Sequence, residues 1–282
     1  MAANHKTGTV LITGASSGIG RATCLYLAQR GYTVIGTSRV AGRLDGVRED
    51  ARKGGVEVHG VELDINSDSE VERVIPEVIS EHGVIDALVN NAGYGLWGPV
   101  ESLSIDELRA QFETNLFAAV RMTKAVLPGM LEQRRGKIVN VSSVLGRLAT
   151  PFNGAYASSK FALEGLSESM RTELWPFGVQ VSVVEPGLFE TDFQANQVKA
   201  ERSQDPALAY IEYVQRYNSR HGQYEKFSSD PVKVSKVIHK IIRSKRSGFR
   251  YPVSIEARAG ILGARFLPER LFRWLVSRAT MR

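Results

Sequence analysis

Residues 9–13, TVLIT, are apolar or β-branched without a break, and they run into TGASSGIG at 13–20 and then RATCLYLAQRG. An uninterrupted run of this kind reads as a strand covered on both faces, because a half-exposed strand would alternate polar and apolar residues. Gly14 lets the backbone leave that strand sharply. Gly18 and Gly20 remove side chains where another group must come close. The helix that follows opens with free N–H groups and the positive end of its dipole, a setting suited to phosphate. This opening segment therefore predicts a strand–turn–helix unit that holds a dinucleotide pyrophosphate.

The same rhythm repeats along the chain. Strands are predicted at Thr9–Thr13, Tyr32–Ser38, Val56–Leu63, Ala87–Asn90, Lys137–Val141 and Val179–Val184, with a weaker one at Phe249–Val253. Amphipathic helical patterns lie between them. The clearest starts at Ser104 and Glu107, spaced as a capping box, and continues through Leu108, Phe112, Leu116, Ala119, Val120 and Leu127. Pro76 falls inside a helical pattern, where a kink or an early stop is expected. Strand–helix alternation predicts one α/β domain over residues 1–282, a doubly wound and mostly parallel sheet. Residues 188–230 break the rhythm with a polar, Tyr- and Phe-bearing stretch just after a strand end, the position expected of a substrate lid.

Composition narrows the function classes. The 282 residues hold one cysteine, Cys24, so no internal disulfide forms, and no apolar run approaches the length of a spanning helix. With no secretory signal pattern at the start, a cytoplasmic protein is expected. The net charge of +6 is uneven. From Glu256 to Arg282 there are six arginines against two glutamates, which leaves 30 basic and 28 acidic residues over the first 255. The basicity thus belongs to the tail, and nothing before it resembles a nucleic-acid motif. His5, His59, His82, His221 and His239 show no metal-ligand spacing, so no metal is expected.

The glycine spacing differs from G-x-G-x-x-G and resembles the TGxxxGIG loop of the short-chain dehydrogenase/reductase family. NNAG at 90–93 and YASSK at 156–160 match that family as well, and the resemblance spans about residues 7–192. Tyr156 and Lys160 lie four apart, hence on one helix face, where an ammonium favours the phenolate. Ser143 closes the strand KIVNVSS, and Asn115 stands among apolar neighbours in a helix that disfavours an amide. Asn115, Ser143, Tyr156 and Lys160 resemble the family's catalytic tetrad in order and spacing. Ser142, one position away, leaves the choice of serine open.

The resemblance implies a Rossmann-like fold and an oxidoreductase. Tyr156 would exchange a proton with the substrate oxygen and Ser143 would orient that oxygen. Lys160 would bind the nicotinamide ribose and depress the Tyr156 pKa, and Asn115 would hold a relay water. Around the cofactor it implies Gly14, Ser16, Ser17, Gly18, Ile19 and Gly20 at the phosphates, and Asp64 and Ile65 at the adenine. Asn91, Ala92 and Gly93 would flank the ribose, and Pro186, Leu188 and Thr191 of EPGLFETDF the nicotinamide. Arg39, where NAD enzymes place an acid, favours NADP(H), since a guanidinium forks onto a 2′-phosphate.

An apolar carbonyl or alcohol is the expected substrate, because Tyr94, Leu96, Trp97, Phe152, Phe189 and Phe193 all flank these motifs. NAGYGLWGPVE and RTELWPFG resemble the hydroxysteroid- and retinol-dehydrogenase-like branch. A 3-oxoacyl thioester reductase and a catalytically silent NADP-binding scaffold are the alternatives. Family members often form homodimers or homotetramers. The tail, 256–282, mixes apolar residues with arginine and is divided by Pro268 and glycines, which predicts two short helices. Docking on protein and peripheral contact with an anionic membrane both remain open for it.

Overall fold

The computed structural model describes residues 8–191, 193, 196–224 and 229–281; parts of the 188–230 segment, His5, and Arg282 of the tail lie outside them. In chain order the elements are β1 (Thr9–Ile12), α1 (Gly18–Ala28), β2 (Thr33–Ser38), α2 (Asp45–Lys53), β3 (His59–Glu62), α3 (Asp68–His82) and β4 (Ala87–Asn90). Next come β5 (Leu96–Trp97), α4 (Ile105–Phe112), α5 (Ala118–Glu132), β6 (Gly136–Val141), α6 (Gly154–Leu174) and β7 (Val179–Pro186). The last are β8 (Val198–Lys199), α7 (Ile211–Tyr224), α8 (Val232–Arg243), β9 (Arg250–Val253), α9 (Ile255–Phe266) and α10 (Glu269–Met281).

Seven strands form one sheet in the order β3-β2-β1-β4-β6-β7-β9, and every pairing is parallel. Period-two geometry sends alternate residues of β1 to opposite faces. Val10 and Ile12 join Cys24 and Leu27 of α1 and Ile238 of α8 on one face. Leu11 meets Val74 of α3 and Met122 and Val126 of α5 on the other. Both faces are covered, which is why the strands read as continuous apolar runs. The order reverses between β1 and β4, so the carboxyl ends of these two strands diverge and open a crevice.

Three local expectations change. The third strand is His59–Glu62 and not Val56–Leu63. Among the described residues it pairs only with β2, so no strand there extends it on its outer side. Helix α3 runs through Pro76 without stopping. Pro76 and Glu72 both face solvent, so water can satisfy the carbonyl that the proline leaves unpaired. The helical pattern from Ser104 has its capping box, but it is split by a π turn over Glu113–Phe117. That turn carries Asn115.

Described residues of the 188–230 segment fold over the chain that follows β4. There β8 pairs with β5, matching Leu96 to Val198 and Trp97 to Lys199. Helix α7 packs Tyr217 against Trp97, with ring centroids 5.1 Å apart. The tail forms two helices, as its proline predicts, and α10 packs on α7.

Candidate active site

The glycine turn is held by side chains from distant parts of the chain. Thr13 Oγ1 accepts hydrogen bonds from the backbone N–H groups of Asn91 and Ala92, each at 3.0 Å. Asn91 Nδ2 donates in return to the carbonyls of Thr13 (2.9 Å) and Gly14 (3.1 Å). The ends of β1 and β4 are thereby tied together. Thr13 is a positioning residue that motif reading passed over, although it is the first letter of TGASSGIG.

The glycines are needed where they stand. Gly14 has φ +67°, and a Cβ there would lie 2.8 Å from Ala92 Cα. A Cβ on Gly20 would meet the Gly14 carbonyl oxygen at 2.1 Å, and one on Gly18 would reach Thr191 Cβ at 3.1 Å. Thr191 is thus brought to the turn from beyond β7. Ser17 is the N-cap of α1 but makes no side-chain cap hydrogen bond, which leaves first-turn N–H groups for another acceptor. Ser16 and Ile19 are half-buried in the same turn. A cradle without side chains at the positive end of a helix fits a pyrophosphate.

Around this turn the other expected contacts gather at carboxyl ends of strands. Arg39 follows β2, is exposed, and has no carboxylate partner among the described residues. Its charge reaches Tyr94, whose phenol burial pushes up and Arg39 pulls down. Asp64 accepts from Asn66 N at 3.0 Å in a tight turn after β3, beside buried Ile65. Pro186 ends β7, paired to Val253, and the Leu188 carbonyl accepts from Ser229 N at 3.1 Å.

Tyr156, Lys160 and Ser143 meet at the end of β6. Lys160 Nζ donates to the Val141 carbonyl at 2.9 Å and lies 5.7 Å from the Tyr156 ring centre. A Cβ on Gly93 would sit 3.6 Å from Lys160 Nζ and 2.9 Å from Asn115 Oδ1, so the NNAG backbone passes between them. Of the two serines, Ser143 is the one whose hydroxyl interacts with the phenol. Ser142 Oγ is turned into the fold without a partner, and a Cβ on Gly146 would meet it at 2.5 Å.

The electrostatics differ from expectation. Burial pushes the Tyr156 phenol up to about 12, and the Ser143 hydroxyl offsets only part of the rise. Burial also brings Lys160 down to about 8, against support from the Glu164 carboxylate one turn along. The sequence predicts a phenol depressed by its lysine together with the positive charge of oxidised nicotinamide; in the chain alone desolvation is the largest influence on both groups. The protein by itself therefore holds Tyr156 protonated at neutral pH. Glu164 is buried and bonded to Arg250 Nε at 2.9 Å, and buried Glu185 pairs with Arg147 at 3.0 Å. No motif signals this network.

Asn115 is buried, but its amide is committed to the protein. Both amide hydrogens are donated within the chain, to the Tyr94 carbonyl (3.0 Å) and Ser159 Oγ (3.1 Å), and Oδ1 accepts from Tyr94 N at 3.1 Å. The side chain therefore locks Tyr94 and α6 in place and does not present its amide hydrogens to a water. The π turn that carries it is a feature frequent at functional sites.

The six aromatic and apolar residues expected around a substrate divide into two groups. Phe193 lies over Tyr156, with centroids 5.4 Å apart, and Tyr94 is half-buried against Leu96 and Ala155. Leu96 and Trp97 are only 1% exposed, and Trp97 packs with Phe152 under α7. Phe189 joins the main core. The β5–β8 pairing and α7 cover Leu96, Trp97 and Phe152, while Phe189 is buried in the core around β7.

The short chain dehydrogenase family profile matches residues 8–202. The chain is 37% identical over 247 residues to a 3-ketodihydrosphingosine reductase of Bacteroides thetaiotaomicron, covering 86% of this chain and 87% of that one. It is 38% identical over 286 residues to retinol dehydrogenase 8 of Bos taurus, covering 94% and 91%. A short-chain dehydrogenase from Streptomyces avermitilis superposes with a TM-score of 0.83 at 33% identity, over 99% of this chain and 100% of that one. A metagenomic short-chain oxidoreductase in complex with NADP follows at TM-score 0.69 and 27% identity, covering 89% and 97%. A Burkholderia phymatum homologue in complex with NAD gives 0.79 and 25%, covering 92% and 93%. With the glycine cradle, the parallel sheet and these likenesses together, the chain belongs to the short-chain dehydrogenase family of oxidoreductases, in its retinol dehydrogenase-like branch.

Proposed function

We propose that the protein is an NADP(H)-dependent oxidoreductase that interconverts a ketone or aldehyde and its alcohol on a largely apolar substrate. The observation that carries this reading is a buried Tyr156 at the end of β6 beside Ser143, with Lys160 one helical turn away and its Nζ 5.7 Å from the ring centre. Tyr156 carries its proton at neutral pH and can give it to a carbonyl oxygen. Burial raises the cost of that transfer, which the Lys160 ammonium and the positive charge of a bound oxidised nicotinamide would lower. Ser143 holds the substrate oxygen beside that proton. Lys160 keeps its ammonium at the strand end, anchored on the Val141 carbonyl, where it stabilises negative charge left on Tyr156 after transfer. When bound, the nicotinamide supplies or accepts the hydride. Gly14, Gly18 and Gly20 fit its pyrophosphate, and Arg39 fits a 2′-phosphate.

NADPH should be preferred over NADH. A charge-assisted contact from Arg39 of about 1.5–3 kcal/mol sets a ratio of roughly 10- to 150-fold. Titration of Arg39→Ala with both nucleotides is expected to weaken NADPH and leave NADH nearly unchanged. Equal losses would make Arg39 structural.

Phe193 over Tyr156 supports an apolar substrate, as does the lipid-like compound named in one relative, 3-ketodihydrosphingosine reductase. A panel of carbonyls with NADPH is expected to favour bulky apolar ketones and aldehydes over sugars and charged acids. A reversed order would overturn the apolar reading. Absence of turnover on every carbonyl and alcohol would leave a silent nucleotide-binding protein instead.

A further inference from the structure

Helices α9 and α10 use one side of their hairpin to dock and leave the other uncovered. On the docked side Ala257 is buried and a Cβ on Gly260 would sit 3.1 Å from Leu148 Cδ2, while the last turn of α10 reaches the Trp97–Phe152–Val214 cluster through Met281. On the other side Leu262, Phe266, Leu267, Leu271, Trp274 and Leu275 face solvent, Phe266 with 72% of its surface. Exposed apolar residues standing singly are ordinary, but six large ones on two adjoining helices mark an interaction face.

The charge on that face selects its occupant. Arg258, Arg265, Arg270, Arg273 and Arg278 are all exposed, against Glu256 and Glu269. Glu269 is already paired with Arg273 at 2.6 Å. The Arg265 guanidinium lies 5.5 Å over the Phe266 ring and that of Arg278 5.4 Å over Trp274, so cation and apolar surface are offered together. A second copy would set this arginine-rich patch against itself across a two-fold axis, which like charges oppose. No helix among the described residues is long and apolar enough to cross a membrane. We propose that the outer face of α9 and α10 is an interfacial docking surface for a bilayer containing anionic lipid. Leucine, phenylalanine and tryptophan enter the headgroup–acyl boundary, and guanidinium groups bond lipid phosphates. Since α10 rests on α7, docking holds the segment that brings Phe193 to Tyr156 close to the phase where apolar carbonyls concentrate.

The test is sedimentation of the full chain with phosphatidylcholine vesicles, with and without phosphatidylserine. Binding is expected only with phosphatidylserine and should weaken as salt rises. The double variant Arg265→Ser/Arg270→Ser should weaken it by roughly 10- to 30-fold. Phe266→Ser/Trp274→Ser should abolish it while turnover of a water-soluble ketone stays unchanged. A wild-type chain that ignores anionic vesicles overturns the proposal, as does binding that survives both double variants. So does a lipid-free dimer that Phe266→Ser/Trp274→Ser converts to monomer, which would assign the face to a second copy. Vesicle binding is read without catalysis, so failure of the oxidoreductase reading leaves this result standing. The salt series on the wild-type chain decides the matter even if a variant does not fold.

Discussion

Replacing Tyr156 with phenylalanine is expected to lower carbonyl reduction by about 10²- to 10⁴-fold while nucleotide binding persists. The ring keeps its volume and its contact with Phe193, so the packing around it survives. What disappears is the phenol hydroxyl beside Ser143, the proton the proposed reduction would use. Steady-state turnover with NADPH and a bulky ketone, paired with nucleotide fluorescence titration, checks both halves. Near-normal turnover in a pure, folded variant would remove Tyr156 from proton transfer. Loss of nucleotide binding in step with turnover would make its role structural.

The second large effect is expected at Gly20. A Cβ there would stand 2.1 Å from the Gly14 carbonyl oxygen and 2.6 Å from Asn91 Nδ2, both fixed by hydrogen bonds. Gly20→Val must push the turn away from Asn91. It should cost about 1–3 kcal/mol of stability through overpacking. Nucleotide affinity should fall by about 10-fold or more, since a displacement worth 1.4 kcal/mol already does that. Gly165→Ala is the control. It lies on the exposed side of α6 with nothing within 4 Å of the added carbon, so it should be neutral or gain about 0.5–1 kcal/mol. Urea unfolding and nucleotide titration measure both variants. A Gly20→Val chain with normal affinity would show that the turn is not the phosphate cradle.

Some readings of the sequence were incomplete for a reason that can be located. The resemblance implied that Asn115 would hold a water without saying through which atom, and only the fold shows that its amide hydrogens go to Tyr94 and to Ser159, the latter 44 positions away. Leu96 and Trp97 follow NNAG closely, and proximity in sequence suggested a pocket. Their burial depends on β8 and α7, which begin about a hundred residues later. Lys160 was expected to draw the Tyr156 phenol down. In the chain alone burial raises it instead, since desolvation grows with everything packed around a group, and the depression was read for a site that also holds oxidised nicotinamide.

Features that depend on a few adjacent residues were determined by the sequence alone. The turn at Gly14, the Ser104–Glu107 cap, the two-sided apolar strands and the one-turn spacing of Tyr156 and Lys160 are all of this kind. Backbone sterics and residue periodicity act within one turn or one strand, so they are written where they act. Tertiary structure decided which serine meets the phenol, where Asn115 spends its hydrogen bonds, which aromatics pack and which face Tyr156, and which side of the tail stays uncovered. Burial and proton affinity are set by atoms that folding brings from distant segments, as Thr13 and Asn91 show across 78 positions.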